Sequence, residues 1–67
     1  MNNLPISVFL LEDHVLVRRG LRTVLEASGE IEVVGEAGSA EEGLRQLPLT
    51  PCDVVVLDLN LPGENGL

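Results

Sequence analysis

The sequence predicts an α/β fold, a partial β-α-β-α-β unit built on a parallel sheet. Three short apolar segments rich in β-branched residues alternate with two amphipathic segments of helical period. Strands that alternate with helices form parallel sheets, because each helix carries the chain back to the start of the next strand. With 67 residues the chain is at most one small domain. A domain of that size buries only about 60% of the surface of its unfolded chain.

The first strand and the first helix are predicted near the N-terminus. Ile6–Leu11 is a short apolar run, typical of a strand buried on both faces. The segment from Val15 to Ala27 has apolar residues at helical spacing, and Ser28-Gly29 is a suitable stop. Its predicted apolar stripe consists of Val17, Leu21, Val24 and Leu25. Its arginines, expected on a solvated face, are Arg18, Arg19 and Arg22.

A second strand and a short second helix follow. Ile31–Ala37 carries glutamates beside its valines, which predicts an edge strand with one wetter face. Ser39 and Glu42 have the spacing of a capping box, so they are expected to start the second helix. Pro48 and Pro51 are expected to end it.

The third strand, predicted at Asp53–Leu59, has the strongest strand pattern. Its four consecutive apolar residues, three of them valine, predict a central strand covered on both sides. If the edge-like second strand is outermost, the strand order is 2-1-3 and the helices cover opposite faces. The third strand would then have a bare edge on its other side. The winding direction switches between the first and third strands, where open α/β sheets bind ligands.

Acidic residues are expected to converge at this switch point. Glu12 and Asp13 follow the first strand, and Asp58 ends the third, with Asn60 two residues later. Carboxylates so placed repel one another unless a cation neutralises them, and Mg²⁺ prefers oxygen ligands. No glycine-rich loop follows the first strand to bind phosphate directly. The expected site therefore binds metal first and phosphate through it.

Composition excludes several classes of function. Four basic residues against eleven acidic ones leave a formal net charge of -7, which disfavours binding to nucleic acid or anionic membranes. Cys52 is the only cysteine, so neither an intramolecular disulfide nor a cysteine zinc site is expected. The lack of a signal-like or bilayer-length apolar run predicts a cytoplasmic protein without membrane contact.

The sequence resembles the receiver domain of bacterial two-component response regulators. Three stretches carry the resemblance: the acidic pair after the first strand, HVLVRRGL at the start of the first helix, and VVLDLNLPGENGL around the third strand. The part from Glu12 to Ala37 is most similar to the branch with a C-terminal helix-turn-helix DNA-binding domain. The resemblance implies a flavodoxin-like parallel sheet. It also implies that residues 1–67 are an incomplete receiver domain, its N-terminal half.

The resemblance also implies a role for each acidic residue. Asp58 would be the phosphoacceptor, and Glu12 and Asp13 the acidic pair that holds Mg²⁺. Asp58 and the backbone carbonyl of Asn60 would be further metal ligands. The phosphoryl donor would be a sensor histidine kinase, and the chain would be a signalling module rather than an enzyme. The parent protein would regulate transcription, with DNA bound only through a C-terminal domain absent from this chain.

Alternatives remain open at the level of the sequence. The family has a Lys and a Ser or Thr on later strands, and this chain has no lysine. One alternative is therefore a phosphorylation-independent interaction or homodimerisation half-module that pairs its open strand edge. Another is an Mg²⁺-dependent phosphohydrolase of the haloacid dehalogenase type, which normally has a second Asp where Asn60 stands.

Individual residues also have simpler interpretations. Asp58 could be a strand-ending residue in a turn, and Glu12 an acid near a helix N-terminus. Asp13 could be the N-cap of the first helix. His14 is expected to be a solvated residue of the first helical turn.

Overall fold

The computed structural model describes residues 4–59, which form a three-stranded parallel sheet with the order β2-β1-β3. Both strand pairs are parallel, so the predicted 2-1-3 arrangement is confirmed. The elements in chain order are β1 (Ile6–Glu12), α1 (Val15–Ala27), β2 (Ile31–Ala37), α2 (Ala40–Gln46), a 3₁₀ turn (Leu47–Leu49) and β3 (Val54–Asp58).

The middle strand β1 forms the centre of the core. Its residues Val8, Phe9, Leu10 and Leu11 are all at most 5% exposed. Side chains alternate between the two faces of a strand. Phe9 and Leu11 pack with Ala37 on the face that α2 covers, whereas Glu36, the register partner of Leu10, binds arginines of α1. The two helices therefore lie on opposite faces, as predicted.

A bulge in β2 adjusts the packing between β1 and β2. Val8 pairs with Val33 but Phe9 pairs with Gly35, so Val34 is an extra residue. A Cβ atom at position 35 would lie 2.8 Å from the Phe9 ring, which explains why glycine occupies the position opposite this ring. The Glu26 carboxylate accepts a 3.0 Å hydrogen bond from the Val33 N–H. The last turn of α1 is thereby attached to the bulge.

The short helix α2 begins at a side-chain cap, as its sequence predicts. The Ser39 hydroxyl accepts a 3.1 Å hydrogen bond from the Glu42 N–H. The Glu42 carboxylate accepts from the N–H of Gly38, one residue earlier than in a regular capping box. The helix ends at Gln46, and Pro48 lies in the 3₁₀ turn that follows. These bonds fix the start of α2 shortly after the end of β2.

The prediction that the third strand is central and covered on both sides is wrong for the part of the chain that the structure describes. Val54, Val55 and Leu57 are 45%, 43% and 64% exposed. Within residues 4–59, β3 has a neighbour at one edge only, and α1 and α2 pack mainly on β1 and β2. The apolar run correctly predicts a strand, but burial depends on neighbours that the run itself does not specify.

The apolar stripe of α1 is only partly buried. Leu21 and Leu25 are half-buried, whereas Val17 and Val24 are 45% and 70% exposed. The predicted bounds of the helix are confirmed. The predicted burial of its whole apolar stripe is wrong, because α1 packs on β1 and β2 and leaves Val17 and Val24 exposed.

The start of β3 is joined to β1 by reciprocal hydrogen bonds between Ser7 and Asp53. The Asp53 N–H donates to the Ser7 carbonyl and hydroxyl oxygens, both at 2.9 Å. In return, Asp53 Oδ2 accepts from the Ser7 N–H at 2.9 Å and from its hydroxyl at 3.1 Å. These bonds set the register that runs from Val8–Val54 to Glu12–Asp58.

Removing the Ser7 hydroxyl should raise the Asp53 pKa. Hydrogen bonds from the Ser7 N–H and then its hydroxyl hold the pKa of the Asp53 carboxyl below its ordinary 3.8. Ser7→Ala keeps the first donor and loses the second, so a ¹³C NMR titration should show Asp53 titrating closer to 3.8. Ser28→Ala, a distant serine change, should leave the titration unaltered. An unchanged Asp53 titration in Ser7→Ala would contradict the proposed hydrogen bond.

The same bonds give stability a definite dependence on pH. Because the Asp53 pKa is lower in the folded chain, its contribution is present above the unfolded-state pKa. It is lost as the pH falls through the folded-state pKa. Asp53→Asn should therefore weaken the fall in unfolding free energy below about pH 4, measured by urea unfolding at several pH values. If the unfolding free energy of Asp53→Asn fell as steeply at acid pH as that of the unaltered chain, Asp53 would contribute nothing to this pH dependence.

Two glycine substitutions should have opposite effects on stability. A Cβ atom at Gly43 would overlap the Leu11 side chain, whereas one at Gly20 would meet nothing within 4 Å. Gly43→Ala should destabilise by about 1 kcal/mol or more, because overpacking costs about 1–3 kcal/mol. Gly20→Ala should stabilise by about 0.5–1 kcal/mol through helix propensity. Urea unfolding followed by circular dichroism measures both. Stabilisation by Gly43→Ala would show that the α2–β1 contact is loose.

Candidate acidic site at the carboxyl end of the sheet

The carboxyl ends of β1 and β3 bring Glu12 and Asp58 together. Each is the last residue of its strand, and the two are register partners. Register partners in a parallel pair project from the same face of the sheet. Asp13 follows directly in the turn before α1. Asn60, the fourth residue expected here, lies outside the described residues.

Glu12 is the buried member of this group. Its side chain is 3% exposed, and Oε2 accepts a 2.8 Å hydrogen bond from the His14 N–H. Oε1 is buried and has no hydrogen-bond partner within residues 4–59. A buried carboxylate oxygen without a partner costs free energy, so it calls for a specific explanation. One explanation is that the oxygen binds a cation, since carboxylate oxygens are good cation ligands.

Glu12, Asp13 and His14 form a group of cation-binding atoms at the start of α1. One carboxylate oxygen from each acid and an imidazole nitrogen all lie within 4.8 Å of one another. His14 Nδ1 is 3.4 Å from Glu12 Oε2 and 3.3 Å from Asp13 Oδ1. The Asp58 carboxylate, which is exposed, is not within that distance of all three. The group is closed at Glu12 and open to solvent at Asp13 and His14, whose side chains are 32% and 60% exposed.

The alternative role of Asp13 as the N-cap of α1 is wrong. The N-cap is His14, with φ -94° and ψ 118°, and its side chain makes no capping hydrogen bond. The helix begins at Val15, so the residue directly before it occupies the cap position. The expectation that His14 is solvated is confirmed, although it precedes the first helical turn.

The expectation of a solvated arginine face on α1 is confirmed for Arg19 and Arg22, which are exposed, and is wrong for Arg18, whose side chain is only 20% exposed. Arg18 donates to the Glu12 carbonyl at 2.7 Å and to Glu36 at 3.2 Å. Arg22 also pairs with Glu36, and this hydrogen bond raises the pKa of the Arg22 guanidinium above its ordinary value. No local sequence pattern indicates these contacts, because only the sheet register brings Glu36 of β2 beneath α1. They hold the start of α1 over the end of β1.

The fold and site define the class of this protein. It is a parallel α/β domain with acidic residues where its first and third strands end. The chain belongs to the response regulator receiver domain family, whose family model matches residues 8–67. No helix within residues 4–59 is both long and apolar enough to cross a membrane.

Several curated relatives are transcriptional or response regulators. The chain is 50% identical over 62 residues to the DNA-binding transcriptional activator DevR/DosR of Mycobacterium tuberculosis, which is 92% of this chain and 29% of that protein. It is 38% identical over 66 residues to the nitrate/nitrite response regulator protein NarL of Escherichia coli, 98% of this chain and 31% of that protein. It is 46% identical over 63 residues to the transcriptional regulatory protein LiaR of Bacillus subtilis, 92% of this chain and 29% of that protein.

The chain therefore spans about a third of the length of these relatives. No solved structure matches it significantly.

We expect Mg²⁺ to stabilise the folded chain, and Glu12→Gln to remove that stabilisation. At a concentration about 100 times its dissociation constant, Mg²⁺ should stabilise the unaltered chain by about 2.7 kcal/mol. The neutral amide is a weaker cation ligand, so the variant should gain much less from Mg²⁺. Without the ion it should be the more stable form, because an amide costs less to bury than a charge.

Urea unfolding with and without Mg²⁺ measures both effects. Glu32→Gln, an exposed acid on β2, is the matched control and should respond to Mg²⁺ as the unaltered chain does. Equal stabilisation of Glu12→Gln and the unaltered chain would show that Glu12 is not part of a cation site.

Proposed function

We propose that this chain is the phosphoacceptor signalling module of a two-component response regulator, phosphorylated on Asp58 with Mg²⁺. Residues 1–67 would be the N-terminal half of its receiver domain. The observation that carries the proposal is the pairing of Asp58 with Glu12 at the strand ends, beside a buried Glu12 oxygen that has no hydrogen-bond partner within residues 4–59. Family membership supports it independently.

The residues fit a magnesium ion. Glu12 contributes a buried oxygen that none of the described residues hydrogen-bonds, and Asp13 and Asp58 contribute partly or largely exposed carboxylates. Oxygen donors of this kind suit Mg²⁺, which also retains several waters. The backbone carbonyl of Asn60, which lies outside the described residues, would be a further ligand by analogy with the family. When bound, the ion would neutralise charge on the phosphoryl oxygens during transfer.

Asp58 is the nucleophile of the proposed transfer. One of its carboxylate oxygens attacks the phosphorus of a phosphohistidine on the sensor kinase, forming an O–P bond. The N–P bond breaks, and its electron pair stays on the imidazole nitrogen, which takes a proton from water. The product is an aspartyl phosphate. The exposure of Asp58 at the end of an edge strand leaves it accessible to so large a donor. The step alters the chain itself and turns over no substrate.

The parent protein is proposed to regulate transcription in the cytoplasm. DevR/DosR is described as a DNA-binding transcriptional activator, and LiaR as a transcriptional regulatory protein. The net charge of -7 makes this chain unsuited to contact DNA itself. We therefore assign DNA binding to a C-terminal domain, of the helix-turn-helix branch, outside this chain.

Asp58→Asn should abolish phosphorylation. The unaltered chain, incubated with Mg²⁺ and acetyl phosphate or a phosphorylated kinase, should gain the mass of one phosphoryl group. Borohydride reduction should then convert residue 58 to homoserine, which peptide mass spectrometry locates. Asp58→Asn removes the nucleophile at nearly constant shape and should gain no phosphate. Glu32→Gln should be modified normally. A phosphoryl group on Asp58→Asn, or homoserine elsewhere, would contradict the assignment.

A second candidate function, a homodimerisation half-module, is favoured by the exposed edge of β3. Val54, Val55 and Leu57 are exposed there, and exposed edge strands pair readily with other chains. Sedimentation with and without Mg²⁺ separates the candidates. A dimer indifferent to Mg²⁺ that Leu57→Lys dissociates would favour this function. A monomer that Mg²⁺ stabilises would count against it.

A further inference from the structure

We propose that His14 is an additional metal ligand that makes this acidic site prefer a transition-metal ion to Mg²⁺. The inference rests on the proposed function for the location of the cation, and goes beyond it in the donor set and the metal selected. The oxygen ligands proposed above leave the imidazole without a role. The structure nevertheless places that imidazole among them.

The geometry of the group carries the inference. His14 Nδ1 is within 3.4 Å of carboxylate oxygens from both Glu12 and Asp13, and all three ligand atoms lie within 4.8 Å of one another. Atoms bound to one ion at about 2.0–2.2 Å are necessarily this close to one another. The buried Glu12 Oε1, which has no partner within residues 4–59, belongs to the same carboxylate. The three side chains therefore have the spacing of metal ligands, and Glu12 Oε1 is available to bind a metal ion because no described residue hydrogen-bonds it.

The local backbone keeps His14 in place beside Glu12. The His14 N–H donates to Glu12 Oε2 at 2.8 Å, and its carbonyl accepts from the Arg18 N–H in the first turn of α1. Arg18 in turn donates to the Glu12 carbonyl. The imidazole itself is 60% exposed, so a metal ion can approach it from solvent.

The chemistry of this donor set selects the metal. Mg²⁺ prefers oxygen, whereas an imidazole nitrogen suits Ni²⁺, Co²⁺, Cu²⁺ and Zn²⁺. Two carboxylates and one imidazole should therefore bind Ni²⁺ more tightly than Mg²⁺. His14 is the only histidine of the chain, so its contribution can be removed by one substitution. Cys52 packs against the Phe9 and Leu11 cluster on the α2 face, so it lies apart from this group.

The test is calorimetric titration of the chain with Ni²⁺ and, separately, with Mg²⁺. All variants carry Cys52→Ser to exclude binding to the thiol, and circular dichroism establishes that each one is folded. His14→Gln should weaken Ni²⁺ binding by about 10-fold or more, a loss of the size seen when a metal site is disturbed. Its affinity for Mg²⁺ should be unchanged. Glu12→Gln should weaken the binding of both ions.

A second measurement separates the group from an isolated surface histidine. In NMR spectra, paramagnetic Ni²⁺ should broaden the His14 ring signals of the unaltered chain at lower concentrations than in Glu12→Gln. Equal broadening in the two would mean that His14 binds Ni²⁺ by itself, and would overturn the inference. Ni²⁺ affinity unaltered by His14→Gln would overturn it as well.

The two proposals fail in distinguishable ways. Mg²⁺ binding that Glu12→Gln removes, together with Ni²⁺ binding indifferent to His14, would leave the proposed function standing and overturn this inference. Ni²⁺ binding that needs both His14 and Glu12, without any Mg²⁺ binding, would support the inference and count against the Mg²⁺-dependent function. The absence of binding for both ions would overturn both.

Discussion

The register between β1 and β3 is the constraint on which the candidate site depends. Ser7 and Asp53 join the amino ends of the two strands through reciprocal hydrogen bonds, and the strands then run in step to Glu12 and Asp58. A slip of one residue would turn Asp58 toward the opposite face of the sheet, because side chains alternate along a strand. A polar link at one end of the two strands thus contributes to the register that places Glu12 opposite Asp58 at the other end.

Near the site, two arginines of α1 are paired with a carboxylate of β2, whereas the buried Glu12 carboxylate has no arginine partner among the described residues. Arg18 and Arg22 both form ion pairs with Glu36, and these ion pairs hold the start of α1 over the sheet. Glu12, buried at the end of β1, keeps one oxygen without a partner in the described chain. Burying such an oxygen is unfavourable for folding alone. This oxygen, next to Asp13 and at the register position of Asp58, is the observation that supports the proposed cation site.

Side-chain burial is greatest in the middle strand β1 and is much lower in β3. The core consists mainly of β1 residues and their β2 partners, whereas α1 and β3 retain exposed apolar side chains such as Val24 and Leu57. This distribution follows from the 2-1-3 order, because only β1 has strands at both edges within residues 4–59. Small domains have little stability to spare. Cation binding would therefore have a measurable effect on the folded population.

Local sequence patterns were sufficient to predict the elements, their parallel arrangement and the strand ends at which Glu12 and Asp58 lie, because apolar periodicity and turn residues are local properties. The remaining features depend on how the elements pack together. The exposure of β3 depends on which elements cover it, and the pairing of Arg18 with Glu36 and the Ser7–Asp53 link join residues that are distant in the sequence. Register and coverage depend on distant neighbours, so no local pattern could specify them.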